Sequence, residues 1–173
     1  MILSKKEILK AIKEGKINIT PFEENNVGAC SVDLRLGWDF KKFIGKKENI
    51  VIDSSFTQLD ESYWKRLHLR EGEAIIINPK ELILGVTLER IKLSNSICAF
   101  IDGRSRFARV GLLVHVSSSL IQPGVNNIQV LEIINMSSTP IKLFPETKIC
   151  QIVFHELKGV GEYSGMFKTQ SLP

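Results

Sequence analysis

The sequence is poor in residues that staple a fold or hold a metal. Only three cysteines, Cys30, Cys98 and Cys150, occur among 173 residues, and they lie far apart. An odd, unpatterned set argues against a disulfide framework and fits a reducing cytosol, so a cytoplasmic protein is expected. Cys98 and Cys150 sit in apolar runs and read as small core residues. The histidines are His68, His115 and His155, and none pairs with a cysteine or carboxylate at zinc-ligand spacing. His115 lies in a strand-like run and reads as a satisfied core or interface histidine. No apolar stretch approaches the ~20 residues that span a bilayer. No signal-type apolar segment is expected, because Met1–Leu3 runs straight into charged residues. Internal repeats and low-complexity linkers are missing. So are the G-x-x-x-x-G-K-[ST] phosphate loop and the G-x-S-x-G nucleophile elbow.

What is present describes a folded protein. The chain is 43% apolar and 24% charged, with a length suited to one domain spanning residues 1–173. Its net charge of +4 is modest and fits scattered solvated lysines. Neither a nucleic-acid nor a membrane partner is expected.

Ser4, with Glu7 three residues later, predicts a capping box that opens a short helix. Leu3 and Ile8 flank it as a hydrophobic staple; Ile8, Leu9 and Ile12 form one stripe, and Gly15 can end the helix. Beyond it the helical period fades. Strand-type runs follow at Ser31–Leu36, Ala74–Ile77, Leu82–Leu88, Ile97–Ile101, Leu112–Val116, Ile128–Asn135, Ile141–Phe144 and Ile149–Phe154. Many are separated by turns such as Asn78-Pro79 and Pro123-Gly124. Many short strands at close spacing predict a mainly β sandwich, jelly roll or barrel. A short helical insertion is expected within Ser54–Arg70. Residues 159–173 carry three glycines and read as a frayed end or as a segment that closes over a ligand.

Three features carry chemistry. In the run Ile128–Asn135, Glu132 falls in phase with Ile128, Val130 and Ile134. Burial among aliphatic side chains predicts a raised pKa and a carboxyl able to take and give a proton. The same residue is open to a structural reading, as an arginine's salt-bridge partner or an edge residue. Second, Asp102-Gly-Arg-Ser-Arg-Phe-Ala-Arg109 offers three guanidinium groups, a hydroxyl and a turn. Arginine forks, the Ser105 hydroxyl and turn N–H groups match phosphate oxygens, so a triphosphate site and a plain basic loop are both open. A helical turn there would put Ser105 and Arg109 on one face. Third, Asp33 and Arg35 share a face of their strand and read as a structural ion pair, at the site or at a subunit contact. The H-x-E…P-C-x-x-C signature of zinc deaminases is absent.

These motifs together resemble the dCTP deaminase family. Gly103-Arg-Ser-Arg-Phe-Ala-Arg-Val-Gly-Leu-Leu-Val-His-Val116 is similar to that family's G-R-S-S-x-A-R-x-G-L-x-V-H-V. Gln122-Pro-Gly124 and Val130-Leu-Glu-Ile-Ile-Asn135 resemble D-P-G-W and L-E-F-Y-N. Ile2-Leu-Ser4, Ser31-Val-Asp-Leu-Arg-Leu-Gly37 and the tail from Tyr163 to Gln170 extend the likeness over nearly the whole chain. The resemblance implies a distorted jelly-roll of the dUTPase type in a homotrimer, with sites between subunits and residues 159–173 closing over them. It implies hydrolytic, zinc-independent deamination of dCTP to dUTP and ammonia, with Glu132 as the proton-shuttling residue. Arg104, Ser105, Arg106 and Arg109 would hold the triphosphate with its Mg²⁺. Val130 and Leu131 would offer backbone groups to the base or sugar, and Gln122, Gln151, Tyr163 and Gln170 match nucleotide-contacting positions. It also makes dTTP a candidate inhibitor.

The departures are Arg106 for a serine, Gln122 for an aspartate, Val125 for an aromatic, Met166 for a lysine, and Ser118-Ser119 for Ala-His. Gln122 cannot act as a base, which weighs against hydrolysis of the triphosphate. The alternatives are a dUTP diphosphatase, a bifunctional dUMP-forming deaminase, or a non-catalytic nucleotide-binding homologue.

Overall fold

The structure is a computed structural model that describes residues 1–115, 117–170 and 173, without the Met166 side chain. It opens on helix α1 (Lys5–Lys13), which buries Ile8 and Ala11. Ser4 sits at the N-cap but makes no side-chain capping bond, so the expected box is not closed. At the other end, the Lys16 N–H reaches Ala11 O and the Gly15 N–H reaches Ile12 O, with Gly15 at φ 71°. That double bond satisfies two carbonyls the helix end would otherwise orphan.

Strands follow as β1 (Ile17–Thr20), β2 (Val32–Phe43), β3 (Trp64–His68), β4 (Ile75–Ile77), β5 (Leu82–Leu93) and β6 (Ile97–Gly103). A single helical turn, α2 (Ser105–Ala108), precedes β7 (Leu112–Val114) and β8 (Leu120–Ile121). The chain continues through β9 (Asn126–Asn135), β10 (Ile141–Leu143) and β11 (Lys148–Glu156). Each predicted run contains a strand, although β2 and β5 extend to twelve residues each. Val116, the last residue of the run predicted from Leu112, lies outside the described residues. The expected helix within Ser54–Arg70 is only a 3-10 turn at Glu61–Tyr63, followed by β3.

The fold is mainly β, with a curled half-barrel sheet. Its strand order is β7-β9-β5-β2-β11-β6-β8, with β1 on β5 and β3 on β2, while β4 and β10 pair separately. Every described pairing is antiparallel. Strand β5 holds the centre: β2 flanks one side and β9 the other, with a register break between Val86 and Arg90 against β9. The core closes around Ile8, Leu34, Phe40, Ile83, Leu131, Ile133 and Phe154, each at most 1% exposed. Burying one such side chain is worth about 1.5–3 kcal/mol, which fixes the phase of each strand.

That phase decides what faces outward on β9. Asn127, Gln129, Leu131, Ile133 and Asn135 point inward, so Glu132 turns to the half-covered side with Ile128, Val130 and Ile134. The predicted alternation holds, but the side carrying Glu132 is the outer one.

Candidate active site

Glu132 stands on the wall of a cavity of about 840 Å³. Strand β9 supplies Val130 and Glu132; the turn after β8 supplies Gln122 and Val125; the C-terminal segment supplies Tyr163 and Gln170. The cavity runs on toward Lys41, Trp64 and Arg66 at its far end. The turn is built tightly: Gly124 has φ 78°, and a Cβ there would lie 2.7 Å from Asn95 Oδ1. Only glycine fits that conformation and that contact.

Across from Glu132 sits His115, just beyond the end of β7. Its Nδ1 lies 2.8 Å from Glu132 Oε2, with side-chain exposures of 8% for the imidazole and 37% for the carboxylate. The two atoms touch without hydrogen-bond alignment, and neither has a hydrogen-bond partner among the described residues. The backbones also meet, as the His115 N–H donates to Glu132 O at 2.8 Å. His115 adopts φ 53°, a left-handed conformation uncommon for a residue other than glycine. Such a conformation persists where the surroundings impose it. Here β7–β9 pairing brings the imidazole to the carboxylate.

Burial pushes the Glu132 carboxyl up, but contact with His115 and its charge pull it further down, leaving it below its ordinary value of 4.5. The expectation of a raised pKa is therefore corrected. A carboxylate in phase with aliphatic residues is not isolated when the neighbouring strand delivers a cation-capable ring. Lowered, Glu132 is ionised at neutral pH, the form in which it can accept a proton.

Of the candidate residues, Glu132, Val130, Gln122, Tyr163 and Gln170 meet at the cavity. Leu131 is fully buried in the core. Arg104, Ser105, Arg106, Arg109 and Gln151 are not among its lining residues. The arginine block does form a helical turn, with the Arg109 N–H bonded to Ser105 O at 3.0 Å. Ser105, Arg106 and Arg109 are exposed, whereas Arg104 Nη1 lies 2.5 Å from Asp33 Oδ2. Arg35 turns instead to Glu89 and Glu23, its Nε 2.7 Å from Glu89 Oε1 and its Nη1 2.6 Å from Glu23 Oε1. Asp33 and Arg35 are thus both paired, but not to each other. Gln151 lies on β11 beside this group, opposite Asp102 and 3.2 Å from the Ser31 hydroxyl.

Sequence reasoning missed His115 as a partner of Glu132, and it missed Asn127 and Gln129 as cavity residues. The two amides carried a signal: polar side chains in phase with Leu131 and Ile133. Among the described residues, no three His, Cys, Asp or Glu side chains converge as a metal site. No helix among them is long and apolar enough to cross a membrane.

Comparisons with known proteins bear on the family of the chain. The profile of the dCTP deaminase-like family matches residues 2–157. A dUMP-forming dCTP deaminase from Methanosphaera stadtmanae is 38% identical over 162 residues, 93% of this chain and 82% of the relative. Another from a Sulfurihydrogenibium species is 36% identical over 98% of this chain and 93% of its own. A dCTP deaminase from Natronomonas pharaonis is 34% identical over 94% of this chain and 84% of its own. The crystal structure of the 2'-deoxycytidine 5'-triphosphate deaminase from Agrobacterium tumefaciens superposes with a TM-score of 0.67 at 17% identity. That match covers 88% of this chain but only 47% of the other, and speaks for the fold alone. With a family profile over most of its length and relatives above 30% identity, the chain belongs to the dCTP deaminase-like family.

Proposed function

We propose that this protein hydrolytically deaminates dCTP to dUTP and ammonia. The observation that carries the reading is the Glu132 carboxylate, 2.8 Å from His115 Nδ1, on the wall of a cavity lined in part by the C-terminal segment. Water adds to C4 of the cytosine ring while Glu132 takes its proton. The same carboxyl then delivers that proton to the exocyclic nitrogen. The C4–N bond breaks, ammonia leaves, and the C4 hydroxyl proton passes to N3 as the C4 carbonyl of uracil forms. Zinc has no part in this scheme, and dCTP enters as its Mg²⁺ complex with the metal on phosphate oxygens.

Arg104, Ser105, Arg106 and Arg109 act on the triphosphate in this reading. In this reading a homotrimer brings the arginine turn of a neighbouring subunit to the cavity, whose lining within one subunit does not include it. dTTP would compete there, since it shares the triphosphate and deoxyribose.

A second reading is favoured by the relatives from Methanosphaera and Sulfurihydrogenibium, whose names specify dUMP as product. Against it stands Gln122, an amide where a carboxylate would be needed to activate water on the phosphate. Incubation with dCTP and Mg²⁺, with chromatographic separation of dUTP from dUMP and assay of ammonia, tests both. Ammonia with dUTP is expected, and Glu132→Gln should slow its release about 10²–10⁴-fold. Release of no ammonia, or a full rate in Glu132→Gln, overturns the proposal. Ammonia with dUMP and pyrophosphate establishes the second reading.

A further inference from the structure

A row of buried amides runs from the sheet to the C-terminal segment. Gln129 and Asn127 occupy consecutive inward positions on β9 and are 8% and 6% exposed. Gln129 lies beside the register break in β5, where its N–H donates to Thr87 Oγ1 at 3.1 Å. The Thr87 hydroxyl in turn donates to Glu89 O at 2.7 Å. From this anchored position Gln129 Nε2 donates to Asn127 Oδ1. That bond occupies the Asn127 oxygen and turns Nδ2 the other way. Nδ2 then donates to the Phe167 carbonyl at 2.6 Å. A carbonyl can only accept, so the amide orientation follows from its two partners. Next to it, the Ile128 N–H donates to Gln170 O at 3.0 Å. The segment is therefore tied to β9 at two carbonyls, and between them it lines the cavity with Thr169.

We infer that Asn127, oriented by Gln129, is a positioning residue that latches the C-terminal segment over the Glu132 cavity. The kinetic consequence rests on the proposed deamination; the latch itself does not. A buried amide is costly without partners, and the pair satisfies itself only with the segment in place. Substrate would then meet a cavity already walled by Tyr163 and Gln170, with less ordering left to do on binding.

Tryptic cleavage after Lys168 reports opening, since the bond cut lies between the two carbonyls, of Phe167 and Gln170, that are tied to β9. Cleavage after Lys148, in β11, reports loosening of the body. Asn127→Asp keeps the shape and still accepts from Gln129, but sets a carboxylate oxygen against the Phe167 carbonyl. Its Lys168 cleavage, relative to Lys148, should rise roughly 5- to 20-fold. The KM for dCTP should rise by a similar factor, and by more than kcat falls. Gln129→Glu should act alike, because an acceptor there turns the Asn127 amide around. Gln129→Met should do less. If Asn127→Asp loosens the body as well, Asn127→Leu and the two Gln129 variants carry the same comparison.

Wild-type Lys168 cleavage in Asn127→Asp and Gln129→Glu overturns the latch. Faster cleavage with an unchanged KM overturns its part in substrate binding. If the wild-type protein turns over no dCTP, the proposed function falls, and the cleavage ratio alone decides the latch.

Discussion

Two influences of opposite sign act on Glu132, and they can be separated at the level of one residue. Burial raises its carboxyl and His115 lowers it, with the net shift downward from 4.5. A general base works above its pKa, so the acid limb of kcat/KM for dCTP should lie below pH 4.5 in the wild type. His115→Asn removes the largest lowering influence, so the limb should move upward. A pH–rate series on both proteins checks the order of the two limbs. Stability follows the same sign. A depressed carboxyl contributes stability above its unfolded pKa, and that contribution is lost as pH falls through the folded value. Thermal melts at mildly acidic and neutral pH should therefore show a smaller acid-induced loss in His115→Asn.

At the scale of elements, the arginine turn divides its labour. Arg104 Nη1 is engaged by Asp33, with both side chains about four-fifths covered, while Arg106 and Arg109 are exposed. Arg104→Ala leaves Asp33 unpaired and should cost about 1–3 kcal/mol, seen as a fall of several degrees in Tm. Arg109→Ala should leave Tm nearly unchanged and raise the KM for dCTP about 10- to 100-fold, as loss of a charge-assisted phosphate contact does. Melting curves and initial rates on the two variants make the contrast. How the elements could be read beforehand follows from their physics. Strand β9 was legible because its inward side is buried at every second residue, and α1 because its apolar stripe repeats at helical spacing. Strand β3 was not, since its Trp-Lys-Arg-Leu-His run is largely solvated and lacks a buried side. The two-residue β8 is too short to show a period. Among site residues, Glu132 stood out as a charge among aliphatics. The pairing of His115 with it is set by β7–β9 register, a non-local contact that spacing in the chain does not encode.

At the scale of the whole molecule, Glu132 and the arginine turn proposed to hold the triphosphate do not line one cavity within a subunit. A ring of three copies resolves this if each cavity receives the arginine turn of its neighbour. Sedimentation should then give three times the 19.5 kDa chain mass. A ring also makes a sharper prediction, because its interfaces are heterologous and each site draws on two chains. Glu132→Gln spoils the cavity of its own subunit, and Arg109→Ala spoils the turn it lends. Co-expressed in equal amounts with different tags and assayed at dCTP well below KM, where both are impaired, the two variants assemble at random. A working site needs an intact Glu132 on one subunit and an intact Arg109 on the next. Each condition is met half the time, so about a quarter of all sites should be restored, and one site of three in every ring that carries both tags. The mixed assembly, purified through both tags, should deaminate dCTP far faster than either variant alone. If both sets of residues acted within a single subunit, every chain would lack one of them, and mixing would restore nothing.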